Sequence, residues 1–161
     1  MGASIFSAWN RRAVWHAVRT TVAAAGSLAI ARLFSLPEAQ WAAISAMVVT
    51  QSDVGAALKI SGQRFAGTVL GAVAGALLAT HATASVPVFA AGILGLGLVC
   101  ALIRLDRRAY RFAGITLAIV LPGAAAKPAW VLAGDRFTEV SLGIVTGLAL
   151  SALWPEAKAN N

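Results

Sequence analysis

Residues 62–78 return, at a constant offset of 72, as residues 134–150. Gly62, Arg64, Phe65, Leu70, Gly71, Val73, Gly75 and Leu78 meet Gly134, Arg136, Phe137, Leu142, Gly143, Val145, Gly147 and Leu150. That is 8 identities in 17 positions, against about one or two expected by chance in so Ala-, Gly- and Leu-rich a chain. The spacing constrains the fold more than the match does. If three membrane-crossing helices make up each half, the count is odd and the two copies insert in opposite senses. The expected architecture is therefore a 3+3 inverted repeat, with any pathway between the halves.

Composition requires the membrane. Hydrophobic residues make up 59% and charged residues only 12%, about half the charged share of a soluble domain. Mean hydropathy is +0.78. At 161 residues the chain has room for about six helices of roughly 20 residues each and no separate soluble domain. The apolar runs predict spans at about 14–34, 39–51, 65–80, 82–103, 112–126 and 137–154 within a single all-α membrane domain covering 1–161. Strands are disfavoured because the runs do not alternate.

The net charge is +7. In a soluble protein that would suggest nucleic acid, but here the cations flank apolar runs and orient the chain, so no nucleic-acid partner is expected. With the N-terminus inside, Arg11, Arg12, Lys59, Arg64, Arg104, Arg107, Arg108, Arg111 and Lys158 face the cytoplasm. Only Arg32, Lys127 and Arg136 face out, with Arg19 inside the first span. Trp9, Trp15 and Trp154 then fall at the inner interface, and Trp41 and Trp130 at the outer one, as aromatic belts do. Both termini are expected in the cytoplasm. A cleaved signal peptide ending near Ala29-Ile30-Ala31 is the competing reading of the first run; Arg19 interrupts it and no polar mature region follows.

Arg64 and Arg136 stand at the starts of the predicted third and sixth helices. A cation there opposes the macrodipole at a cost of about 0.3–1 kcal/mol, which suggests a compensating task. Beside free backbone N–H groups, such an arginine can hold a carboxylate or phosphate; equally, it can anchor to lipid headgroups. Asp135 and Glu139 are close enough in sequence to neutralise Arg136. Gly71 with Gly75, and Gly143 with Gly147, each form a small-xxx-small face for close approach of another helix, with the third and sixth helices as the expected pair. Glu139 and Val140 stand where the first copy has Gly67 and Thr68.

The short second helix ends in Thr50-Gln51-Ser52-Asp53 and the fifth is interrupted at Pro122-Gly123. Paired short or broken spans point to a transporter binding site. Gln51 offers donors and acceptors there. Asp53 and Glu139 are the candidate proton carriers, with Asp135 nearby. Arg19 lies more than a turn inside the first span, where it either faces protein or snorkels. Cys100 is single, which excludes an intrachain disulfide. His16 and His81 lie near opposite ends, so no metal site is expected. No nucleophile–base pair or phosphate loop is present, no cofactor is implied, and an enzyme is not expected.

Taken in order, Arg19-Thr-Thr, Trp41-Ala-Ala-Ile-Ser, Val48-Val-Thr-Gln51, Arg64-Phe-Ala-Gly67-Thr68-Val-Leu-Gly71, Tyr110-Arg111, Trp130 and Arg136-x-x-Glu139-x-x-x-Gly143 resemble the fusaric acid resistance (FUSC) and aromatic acid exporter family. That family is similar in its membrane part to the plant aluminium-activated malate transporters. The likeness covers nearly the whole chain and implies a six-helix bundle in the bacterial inner membrane that exports or conducts organic anions, commonly aromatic carboxylates, and assembles as an oligomer. Many members carry a second six-helix block and a soluble domain, so a homo-oligomer is expected here. The resemblance supports Trp41, Gln51, Arg64, Arg111 and Arg136 as substrate-binding candidates, to which Arg19 is added from its position. Membrane lipid is the other expected partner. The alternative to a permease is a non-transporting scaffold or accessory subunit of an efflux assembly; a lipid-handling role is a third possibility.

Overall fold

A computed structural model describes residues 11–51 and 53–154, the side chains of residues 11 and 12 excepted. Trp9 and Lys158 lie outside the described residues. Six helices run in order: α1 Arg11–Leu33, α2 Gln40–Val49, α3 Val54–His81, α4 Val86–Leu102, α5 Arg107–Gly123 and α6 Ala129–Leu153. Among the described residues there is no strand. By length and hydropathy, α6 meets the criterion for a membrane span, while α2 and α4 are apolar but shorter.

Caps, rather than the edges of apolar runs, set the helix ends. Asp53 accepts a hydrogen bond from Ala56 N at 3.0 Å and starts α3 eleven residues before the position expected from the apolar run (Val54 against Phe65). Asp106 does the same for α5 through Arg108 N, at 3.0 Å. Pro128, with its fixed φ, precedes α6, which begins at Ala129 instead of Phe137. Arg64 and Arg136 therefore do not begin their helices. They lie ten and seven residues inside, about 15 and 10 Å of helix, where no free N–H groups remain. α4 starts at Val86, with Pro87 in its first turn, where a missing N–H costs no helix bond. Pro122-Gly123 closes a continuous α5 and does not interrupt it.

The interior is built from small residues. Ala23, Ala31, Ala42, Ala46, Ala57, Ala76, Ala109 and Ala113 are fully buried. The largest sealed side chains include Arg19, Arg136, Leu117 and Glu139. Large aliphatics are found on both sides: Val49, Leu117, Val120 and Leu121 are buried, whereas Leu58, Leu94, Leu98 and Val145 are each more than half exposed. Sealed charges beside exposed aliphatics are unusual for a water-soluble domain.

α3 packs on α5, α6 packs on α2, and α3 and α6 pack on each other. The glycine faces therefore serve other partners than the third-to-sixth seam expected from the sequence. A Cβ on Gly71 would meet the Ala113 carbonyl oxygen of α5 and lie 2.8 Å from Thr116 Cβ; one on Gly143 would meet the Ala42 carbonyl oxygen of α2 and lie 2.6 Å from Ser45 Cβ. One turn on, Gly75 faces Val120 and Gly147 faces Val49. Each contact recurs 72 residues later on the glycine helix and 71 residues earlier on its partner. Where α3 and α6 cross, Phe65 and Phe137 meet edge to face with ring centroids 5.4 Å apart.

Candidate functional site

Arg64 and Arg136 immediately precede the two crossing phenylalanines and are almost sealed, at 4% and 2% exposure. Each guanidinium stacks on an aromatic ring of the helix that its own glycine face packs against. Arg64 lies over Phe112 of α5, 4.7 Å from the centroid, and Arg136 over Trp41 of α2, at 4.8 Å. Cation–π contacts of this kind tolerate burial better than bare apolar packing does.

The two sites differ in what receives the remaining N–H donors. Arg64 donates from Nε and Nη2 to the Ser45 hydroxyl, at 3.3 and 3.1 Å, and no carboxylate among the described residues lies within ion-pair distance of it. Ser45 is held in turn by donating to the Trp41 carbonyl at 2.7 Å. Arg136 instead pairs with two carboxylates. Its Nη1 donates to Glu139 Oε2 at 3.1 Å, and its Nη2 to Glu38 Oε2. Glu139 is fully buried and its other oxygen accepts the Glu38 backbone N–H at 2.7 Å. Trp41 Nε1 also donates to Glu38 Oε2, at 3.0 Å. The Arg136 hydrogen bond holds the Glu38 carboxyl below its ordinary value of 4.5, outweighing the desolvation that acts the other way; Trp41 and the field of Arg136 and Lys127 add to it.

This difference follows from two paired replacements, Gly67 by Glu139 at the offset of 72 and Ala109 by Glu38 at the offset of 71. Gly67 of α3 lies against the Ala109 carbonyl of α5. At the corresponding place α6 carries Glu139, whose carboxylate fills the gap and reaches back to the chain at Glu38. One half is closed by backbone contact, the other by charge.

The other sequence candidates lie apart from this pair. Arg19 is 1% exposed and donates to the carbonyls of Trp154 and Gln51, the first at 2.9 Å. It ties the C-terminal ends of α6 and α2, where the macrodipole favours a cation, and it does not snorkel. Gln51 folds its amide back onto Val48 O, at 3.1 Å. Arg111 is exposed on α5. Asp53 is exposed and caps α3. Asp135 pairs with Lys127 at 3.6 Å. Trp15 and Trp154 meet at one end of the bundle, their centroids 5.7 Å apart, whereas Trp41 is part of the Arg136 site. A groove of about 570 Å³ between α1 and α2, lined by His16, Thr20, Ala24, Leu28 and Met47, carries no arginine. No group of three or more His, Cys, Asp or Glu residues among the described residues could hold a metal ion.

Sequence reasoning missed Ser45, Phe112 and Glu38. A second echo, offset by 71, could have found the first two. Trp41-Ala-Ala-Ile-Ser-Ala-Met-Val-Val49 aligns with Phe112-Ala-Gly-Ile-Thr-Leu-Ala-Ile-Val120, which places an aromatic and a hydroxyl at matching positions. At the same offset Glu38 falls opposite Ala109, which is not acidic, so the echo gives no signal for it.

The fusaric acid resistance protein family matches residues 13–161 of this chain. Among curated proteins, "Uncharacterized transporter YdhK" of Escherichia coli (strain K12) is 34% identical over 152 residues, which span 88% of this chain and 22% of that protein. "Inner membrane protein YeeA" of the same strain is 27% identical over 149 residues, 88% of this chain and 41% of that protein. The chain thus spans about a fifth and two fifths of the length of these relatives. No solved structure matches it significantly. With the match running from the first turn of α1 through the whole bundle, the chain belongs to the fusaric acid resistance protein family.

Proposed function

We propose that this chain is a membrane-spanning unit of a bacterial inner-membrane permease that exports organic anions, aromatic or other carboxylates, and that Arg64 captures the carboxylate. The observation that carries this reading is the pairing of Arg64: a sealed cation with a hydroxyl and an aromatic face but no carboxylate. An uncompensated buried charge is costly and in membrane helices marks a ligand pathway. A permeant carboxylate would supply the missing charge through the planar fork of guanidinium donors. Exposed aliphatics along the helices, beside the sealed Arg19, Arg64, Arg136 and Glu139, support a lipid-facing exterior. The relatives named a transporter and an inner membrane protein agree.

The recurring contacts support an inverted repeat of α1–α3 and α4–α6, both termini cytoplasmic, with Arg64 and Arg136 on either side of the crossing. Taking the two buried arginines out of the loop count leaves eight inner cations against two outer ones, so the positive-inside argument holds. Access to a group as sealed as Arg64 requires α2 or α5 to part from α3, so passage is gated. Assembly as a homo-oligomer is part of this reading.

The test is flux of benzoate and malate in liposomes bearing the purified chain, wild type and Arg64→Ala. Flux that collapses in correctly assembled Arg64→Ala supports the reading. Absence of flux in the wild type, under either gradient, favours a scaffold or accessory subunit.

A further inference from the structure

Charge at the Arg136 site is out of balance by one carboxylate. Glu139, sealed on the same helix, already neutralises Arg136. Glu38 adds a second negative group whose side chain is 43% exposed. It comes from the connection between α1 and α2, not from a helix. In that connection Ser35, with φ at 53°, closes α1: its N–H donates to Arg32 O at 2.9 Å and that of Leu36 to Ala31 O at 3.0 Å, an ordinary left-handed helix cap. The carboxylate of Glu38 receives a guanidinium N–H from Arg136 and an indole N–H from Trp41, and Gln40 Nε2 approaches it at 3.4 Å. A guanidinium stacked on an indole, with both donating to one carboxylate, is a binding arrangement for carboxylates in general. The same stack at Arg64 has no such occupant.

We propose that Arg136 and Trp41 form a second carboxylate-binding site, and that Glu38 occupies it as a tethered surrogate for the permeant anion. Exchange of the Glu38 carboxylate for a free one leaves the local charge unchanged, with Glu139 still beneath Arg136 and Lys127 with Asp135 beside it. Glu38 therefore sets the affinity of the site by competition and closes it when no anion is present. A site held by its own side chain about nine-tenths of the time shows about tenfold weaker apparent affinity for a free ligand. The inference rests on the reading of this family member as an organic-anion protein, but it concerns a different arginine from the one on which that reading turns.

The experiment is thermal unfolding of the purified full chain in detergent, titrated with acetate and with benzoate. All proteins carry Arg64→Ala, so that the first site is silent. Adding Glu38→Ala is expected to produce saturable stabilisation by both anions, with half-effect at about tenfold lower concentration than with Glu38 present. Glu38→Gln, which keeps the shape and one acceptor, should fall between. An equal response with and without Glu38 overturns the proposal. So does failure of both variants to fold at any benzoate concentration, which would make Glu38 a structural clamp. Loss of liposome flux on Arg64→Ala is read separately, so this proposal and the permease reading fail independently.

Discussion

A single methyl group placed at two kinds of glycine should change stability with opposite signs. Gly62 in α3 and Gly134 in α6 have nothing within 4 Å of a built Cβ. Alanine there gains helix propensity of about 0.8–1.0 kcal/mol. At Gly143, in the same helix as Gly134, the methyl would lie 2.6 Å from Ser45 Cβ and collide with the Ala42 carbonyl. A backbone carbonyl in a helix cannot turn aside, so α6 and α2 must separate by about 1 Å to restore ordinary contact. Overpacking of this kind costs about 1–3 kcal/mol; after the propensity gain, Gly143→Ala should lose up to about 2 kcal/mol and Gly71→Ala a similar amount. The functional consequence differs between the seams. Gly143 presses on the residue that binds Arg64, so its substitution should also weaken benzoate flux, whereas Gly134→Ala should not. Reversible unfolding in mixed micelles, by titrating denaturing detergent into a mild one, reads the stability. A Gly143→Ala protein as stable as Gly134→Ala would refute the close helix contact and the packing argument built on it.

Glu139→Gln should destabilise by less than the about 3–5 kcal/mol of a broken buried ion pair, because Glu38 still neutralises Arg136. The Glu38→Gln/Glu139→Gln double variant should lose more than the sum of the two singles, since only there is Arg136 left without a carboxylate; additive losses in the same micelle titration would contradict the shared pairing. Glu38 titrates below its ordinary 4.5 through its hydrogen bond to Arg136. Its contact therefore contributes at neutral pH and is lost as pH falls through the lowered value. Wild-type thermal stability should stay level down to about pH 5 and then decline more steeply than that of Glu38→Gln; parallel profiles would show that this carboxylate is not the titrating group.

The repeat in α3 and α6, six helices and the two arginines were legible in the sequence because identical residues recur at a fixed offset. Their placement was not. The apolar runs put the starts of the third and sixth helices at Arg64 and Arg136, but both arginines are buried within helices, and the actual boundaries are set by Asp53, Asp106 and Pro128. Small-xxx-small faces announce close packing without naming a partner. Gly71 could have faced α6 as well as α5 on sequence grounds, and only the register of Ala113 and Thr116 decides it. Glu38 was hidden for another reason. It follows Pro37 in a connection, where a carboxylate reads as solvated, and its importance depends on contacts to residues about a hundred positions away.

In the proposed function Arg64 supplies the charge that draws a carboxylate through this bundle. Benzoate efflux from liposomes tests it most directly, comparing wild type, Arg64→Ala and Arg64→Lys at matched incorporation. Saturable efflux is expected for wild type, loss of at least about tenfold for Arg64→Ala, and only partial recovery by lysine, which keeps the charge but loses the planar fork and the stack on Phe112. Efflux unchanged in Arg64→Ala would contradict the claim and leave Arg64 a packing residue beneath Ser45.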